Sequence, residues 1–195
     1  MARSRSAVHV PAAGLGAARE PMRLDDPRLR AWRAFLYAHA AVMRELEAQL
    51  MAERGMTLAE YDALVQLADA PGARLRMSDL ASRLLLSRSG VTRLVDRLVA
   101  QGFVRREHCG NDARGSFAAL TRAGVGRLRE AMPVHLRGIG EVFVDVIGDE
   151  DAGVIERSMT AVAAASGHPT PLPRSVAAGG RPQVVAEAEE PPTIG

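Results

Sequence analysis

The stretch MSDLASRLLLSRSGVTRLVDRLVAQGFVRRE, residues 77–107, decides how the chain reads. Its second half patterns as a helix from about Arg88 to Ala100, with Gly102 at the C′ position. Val91, Leu94, Val95 and Leu98 recur at helical spacing and form a stripe to bury. Arg88, Ser89, Thr92, Arg93, Asp96 and Arg97 fall on the other side. Ahead of it, Ser78 and Asp79 read as the cap of a short helix holding Leu80, Leu84 and Leu85, and a turn at Leu86 and Ser87 links the two. Two short helices across a tight turn make a helix-turn-helix. A major groove admits one helix, whose arginines, serines and threonines can reach base edges and phosphates. Alone, the pattern better fits an amphipathic helix in any bundle.

The flanks narrow the choice. Thr57 and Glu60 form a capping box that opens a helix running to about Asp69, before Pro71 and Gly72. Residues 73–77 can form a short strand. Downstream, residues 103–108 and 115–120 read as two strands joined through the turn residues 109–114. A hairpin directly behind a helix-turn-helix is a wing, whose tip can place an arginine in a minor groove. Arg114 is that candidate, and Asp112 is expected to brace it through Arg93 or Arg97.

Charge supports the same surface. All 25 basic residues are arginine, and residues 71–124 hold ten of them against Asp79, Asp96, Glu107 and Asp112, although the whole chain carries only +2. That is a concentrated basic segment suited to a polyanion. The 195 residues are 47% apolar and 4% aromatic, so the core must be aliphatic. No apolar run reaches the ~18 residues of a membrane helix. A single cysteine, Cys109, excludes an internal disulfide framework and a cysteine-based zinc site.

Two heptad seams flank the basic segment. Leu29, Trp32, Leu36, His39, Met43, Leu46 and Leu50 form the first; Leu128, Met132, His135, Ile139, Val142 and Val146 form the second. Pro133 should bend the second helix or mark its start, and Gly138 and Gly140 weaken it. Asp149 reads as the N-cap of a last helix to about Ala165. Such stripes suggest a helical dimerisation layer, with an intrachain helix pair as the alternative. Residues 1–24 and 167–195 read as disordered arms.

With TLAEYDALVQL (57–67), the stretch quoted first, and NDARGSFAALTRAG (111–124), the chain resembles the MarR family of winged helix-turn-helix regulators. The Asp112-x-Arg114 pair followed by a strand and Leu120, Thr121 and Gly124 is the most specific part. The resemblance covers roughly 28–165. It implies a mainly α fold with a small β-wing, the winged lobe at about 56–120 and dimerisation helices at about 27–54 and 121–165 within a domain spanning 25–166. It further implies a cytoplasmic homodimer on a pseudo-palindromic double-stranded operator, acting as a repressor released by a small phenolic or aromatic effector, with no cofactor and no enzymatic activity. The alternative is an adaptor of the same fold that binds ligand or senses oxidants without specific DNA binding. By position, Ser87, Arg88, Ser89, Thr92 and Arg93 would face the major groove, Arg105 and Arg106 would contact phosphates, and Arg114 would enter the minor groove braced by Asp112; Arg97 is a further DNA-binding candidate. Gly115 and Ser116 follow Arg114 where relatives often carry more arginine, so this wing has less charge.

Other residues have two readings. Cys109 beside His108 reads as an exposed turn residue in preference to a redox switch. His39 and His135 read as hydrogen-bonded core histidines in preference to metal ligands. Trp32, His39, Tyr61 and Asp62 are the effector-site candidates; Asp62 and Arg93 match two positions of urate-binding relatives, while Trp32 and Tyr61 also fit plain packing.

Overall fold

The computed structural model describes residues 23–109 and 112–167, except the side chains of 108, 109 and 112–115. The chain forms two compact units, Met1–Ala38 and His39–Gly195. Helix α1 (Pro27–Arg54) is followed by α2 (Leu58–Ala68), β1 (Arg74–Arg76), α3 (Met77–Arg83), α4 (Arg88–Ala100), β2 (Val104–Cys109), β3 (Asp112–Leu120), α5 (Arg122–Ile139) and α6 (Asp149–Ala165). A π-helical turn, Gly140–Val144, extends α5. The sheet is antiparallel in the order β1-β3-β2. Fold class therefore stands as expected: mostly helical, with a small three-stranded sheet.

Local chemistry sets the joints. At α2, the Thr57 hydroxyl accepts from Glu60 N at 3.2 Å and Glu60 returns a carboxylate to Thr57 N at 3.0 Å. Glu47 of α1 accepts from Leu58 N at 2.5 Å, so a third exposed donor is satisfied from outside the helix. The Ser87 hydroxyl caps α4 by accepting from Gly90 N at 3.1 Å. Gly102 leaves α4 at φ +76°, a conformation other residues resist. Thr121 then welds the exit to α5: its hydroxyl donates to Gly102 O at 2.7 Å and accepts from Gly124 N at 3.0 Å. A Cβ at Gly124 would stand 2.1 Å from Phe103 O, so only glycine fits this crossing.

Within His39–Gly195 the core is aliphatic, as composition required. Leu50, Met56, Leu64, Leu67, Leu80, Leu94, Leu98, Leu120 and their neighbours are buried, and Tyr61 is the only buried aromatic among the described residues. Each such leucine contributes roughly 1.5–3 kcal/mol by leaving water. The expected α4 stripe, Val91, Leu94, Val95 and Leu98, is buried throughout.

Several expectations need correction. The α1 seam is buried only at Leu46 and Leu50; Trp32, Leu36 and Met43 are exposed. The stripe α5 buries is Val125, Leu128, Ala131, Val134 and Gly138, so only Leu128 of the second seam is fully buried. Gly138 is the reason the crossing is close: a Cβ there would meet Gln49 and Leu46 of α1 at 2.3 and 2.8 Å. Arg122 opens α5 well before Pro133, which is exposed, so the carbonyl deprived of its partner can face water. Gly148, not Asp149, is the N-cap of α6, and Asp149 is its first residue. Arg76, not Ser78 or Asp79, precedes α3 as N-cap, without a side-chain cap bond. Leu85 lies outside α3, exposed, at φ +54°. The two expected disordered arms fall outside the described residues except at Arg23, Leu24 and Gly167.

Candidate nucleic-acid interface

Helix α4 presents one uninterrupted polar face because its opposite stripe is locked in the core. Arg88, Ser89, Thr92, Arg93, Asp96 and Arg97 are all exposed, as is Ser87 before them. No acidic residue occupies the first turn, so the helix N-terminus adds its own positive potential to the arginines. The candidates do not all remain available for recognition. Ser87 spends its hydroxyl on the cap and lies 3.2 Å from Ser89 Oγ. Thr92 donates to Arg88 O at 2.8 Å, which leaves its methyl group and lone pairs to face outward.

The remaining arginines are oriented by carboxylates. Arg97 Nε stands 3.6 Å from Oε1 of Glu60, a glutamate only 6% exposed. Arg106 donates to Asp96 at 2.7 Å and so shares the recognition face with α4. Arg105 does not join it. Neighbouring strand residues point to opposite sides, and Arg105 donates instead to Glu107 at 2.6 Å. The expected bracing of Arg114 by Asp112 concerns side chains outside those described, as do the readings of His108 and Cys109; the described partner of Arg97 is Glu60.

Sequence reasoning missed a cleft beside α4. Arg76, Met77, Ser78, Arg88, Val91, Thr92 and Ser116 line a volume of about 380 Å³. Ser116 Oγ is buried there without a hydrogen-bond partner among the described residues. The signal was the alternation in ARLRM, which puts Arg74 and Arg76 on one side of β1, but it becomes spatial only once β1 pairs with β3.

Of the effector candidates, Tyr61 and Asp62 sit on α2 in the lobe. Burial, reinforced by Glu47, pushes the Asp62 carboxyl up to about 6. Burial and then Asp62 push the Tyr61 phenol up to about 12. His135 packs its ring 4.3 Å from that of Tyr61, and burial lowers its pKa. Its Nδ1 is buried without a partner among the described residues, and His39 is exposed, so His39 does not sit in the core as expected. Trp32 belongs to the first unit, 52% exposed, with its ring 5.9 Å from Phe35. Among the described residues no three histidine, cysteine or acidic side chains gather as a metal set. No described helix is long and apolar enough to cross a membrane.

Comparison with known proteins agrees with this geometry. The MarR family model matches residues 54–115, from the end of α1 into the wing. Sco3205 of Streptomyces coelicolor, a MarR family regulator solved in complex with DNA, is 34% identical; the similarity covers 80% of this chain and 99% of that one, with a TM-score of 0.71. AbsC, a MarR family regulator from the same organism, is 32% identical over 75% of this chain and 99% of its own, with a TM-score of 0.70. YetL, an HTH-type transcriptional repressor of Bacillus subtilis, is 32% identical over 108 residues, 55% of this chain and 65% of YetL, just under two thirds of its length. A chain that matches Sco3205 and AbsC at 34% and 32% identity over 99% of each, and that shares their fold, belongs to the MarR family of transcriptional regulators and is not an enzyme.

Proposed function

We propose that the protein is a homodimeric, sequence-specific DNA-binding repressor of the cytoplasm that a small aromatic or phenolic effector releases from its operator. The observation that carries the reading is the face of α4, where Arg88, Ser89, Thr92 and Arg93 stand exposed opposite a wholly buried stripe. Arg93 and Arg88 read bases, Arg97 and Arg106 hold phosphates, and Arg114, braced by Asp112, enters the minor groove. The folded domain comprises 25–166, with the two arms outside it. A second copy covers apolar surface that one chain leaves in water: Trp32, Leu36 and Tyr37 on α1, and Val154, Met159 and Val162 on α6. Tyr61 and Asp62 supply the effector site, and the effector must prefer the DNA-incompetent state.

A gel-shift titration tests this on DNA upstream of the protein's own gene and on random DNA, with light scattering for the dimer. Selective binding by wild type that Arg93→Ala relaxes toward random-DNA affinity is expected. Equal, weak binding to every sequence would refute it and favour the adaptor of the same fold.

A further inference from the structure

The outward side of the sheet is unlike the rest of the lobe surface. By strand alternation and register its described positions are Arg74 and Arg76 on β1, Phe117 and Ala119 on β3, and Arg105 and Glu107 on β2. Arg74 and Arg76 both hold their guanidinium carbon over the Phe117 ring, at 5.5 and 5.0 Å from its centre. Glu107 accepts from Arg74 at 3.2 Å and from Arg105 at 2.6 Å, so a single carboxylate orients two cations. Stacking on an aromatic ring fixes the plane of a guanidinium and lowers the entropy lost when it grips an anion. The face runs on into the cleft beside α4, where Arg76 lies with Arg88, Ser78 and Thr92.

We propose that Arg74 and Arg76, clamped on Phe117, form a second phosphate-binding strip that grips the backbone of the same DNA duplex that α4 reads. The proposal rests on the DNA-binding reading above and adds residues to it. Among the described side chains the strip holds three arginines against one glutamate, which matches a polyanion, and its Arg76 lines the same cleft as Arg88 and Thr92 of α4. It positions the lobe and carries no base preference of its own.

The test measures Kd for a random-sequence duplex of about 40 base pairs between roughly 50 and 200 mM salt, for wild type, the phosphate-contact variant Arg106→Ala, the double variant Arg74→Gln/Arg76→Gln, and its double lysine counterpart. Each lost phosphate contact flattens the slope of log K against log salt by about 0.9. The glutamine pair should therefore lose ~1.8 for each lobe bound, making affinity roughly tenfold less salt-sensitive across that range. The lysine pair should recover most of the slope, because charge and not fold was removed. A wild-type slope in the glutamine pair, while Arg106→Ala still weakens binding, would overturn the strip and leave the regulator reading intact. A lysine pair as flat as the glutamine pair would likewise overturn it. Absence of any salt-dependent DNA binding by wild type would remove both readings.

Discussion

Asp62 should make the lobe less stable as pH rises, and Asp62→Asn should abolish that loss. Its carboxyl is pushed from the ordinary 3.8 to about 6, by burial first and by Glu47 second. Because the folded pKa is the higher one, the folded state binds the proton more tightly than the unfolded chain. The protonated form therefore stabilises the fold fully below pH ~4, and that contribution drains away between pH ~4 and ~6. At about 1.4 kcal/mol per pH unit the loss amounts to ~3 kcal/mol by pH 7. His135 works in the opposite sense: its pKa is lowered by burial, so its contribution is lost as pH falls through the imidazole range. The wild-type profile alone would mix the two, whereas the difference between Asp62→Asn and wild type isolates the carboxylate. Urea denaturation at fixed protomer concentration from pH 4 to 8 reads it. The asparagine pays a constant cost for its buried amide, so its stability relative to wild type should climb by ~3 kcal/mol across the series. A difference that stays flat with pH would refute the account of Asp62 as a carboxylate strained by burial beside Glu47.

Three further substitutions probe the joints of the lobe. Gly124→Ala should cost about 3 kcal/mol in urea unfolding, because the new Cβ meets the Phe103 carbonyl, which belongs to the backbone and cannot turn aside; a neutral result would mean the α5 start has room to shift. Leu85→Gly should stabilise the fold by about 1 kcal/mol, since a leucine at φ +54° with 69% of its surface in water strains the backbone and gains little packing; a lower urea midpoint would show the leucine is held by contacts worth more than its strain. Glu60→Gln should cost under about 1 kcal/mol and Glu60→Ala about 2, because glutamine still caps α2 while the bond to half-exposed Arg97 contributes little; equal losses would assign the stability to the ion pair instead.

What the sequence made legible was whatever one chain decides locally. Thr57 with Glu60 before α2 and Gly102 after α4 each act on neighbours a few residues away, and those element ends follow from them. The stripe Val91, Leu94, Val95 and Leu98 needs only one partner surface, so periodicity located it correctly. The heptad seams failed for a different reason. A 3,4 spacing says which residues share a side of a helix and not what covers that side. In α5 the closest approach to α1 is set by Gly138, a residue counted as a weakness of the helix, and the buried stripe turned to follow it. Arg105 and Arg106 were likewise read as a pair because they adjoin in sequence, whereas strand alternation sends them to opposite sides.

Those opposite placements bear on how affinity and selectivity divide. An arginine left free on a surface loses much of its side-chain entropy when it grips a phosphate. Asp96, Glu60 and Glu107 hold Arg106, Arg97 and Arg105 in place beforehand. Each carboxylate also sets its own repulsion against incoming phosphates, so tethered arginines gain precision and give up attraction. Arg88 and Arg93, near the start of α4, stand where no acidic residue shares the first turn and the helix N-terminus is positive. Tethered cations thus suit the fixed repeat of the backbone. The arginines at the α4 start suit base edges, where the side chain must still choose among alternatives. The α4 face and the β2 arginines therefore divide the two tasks, sorted by where the acids lie.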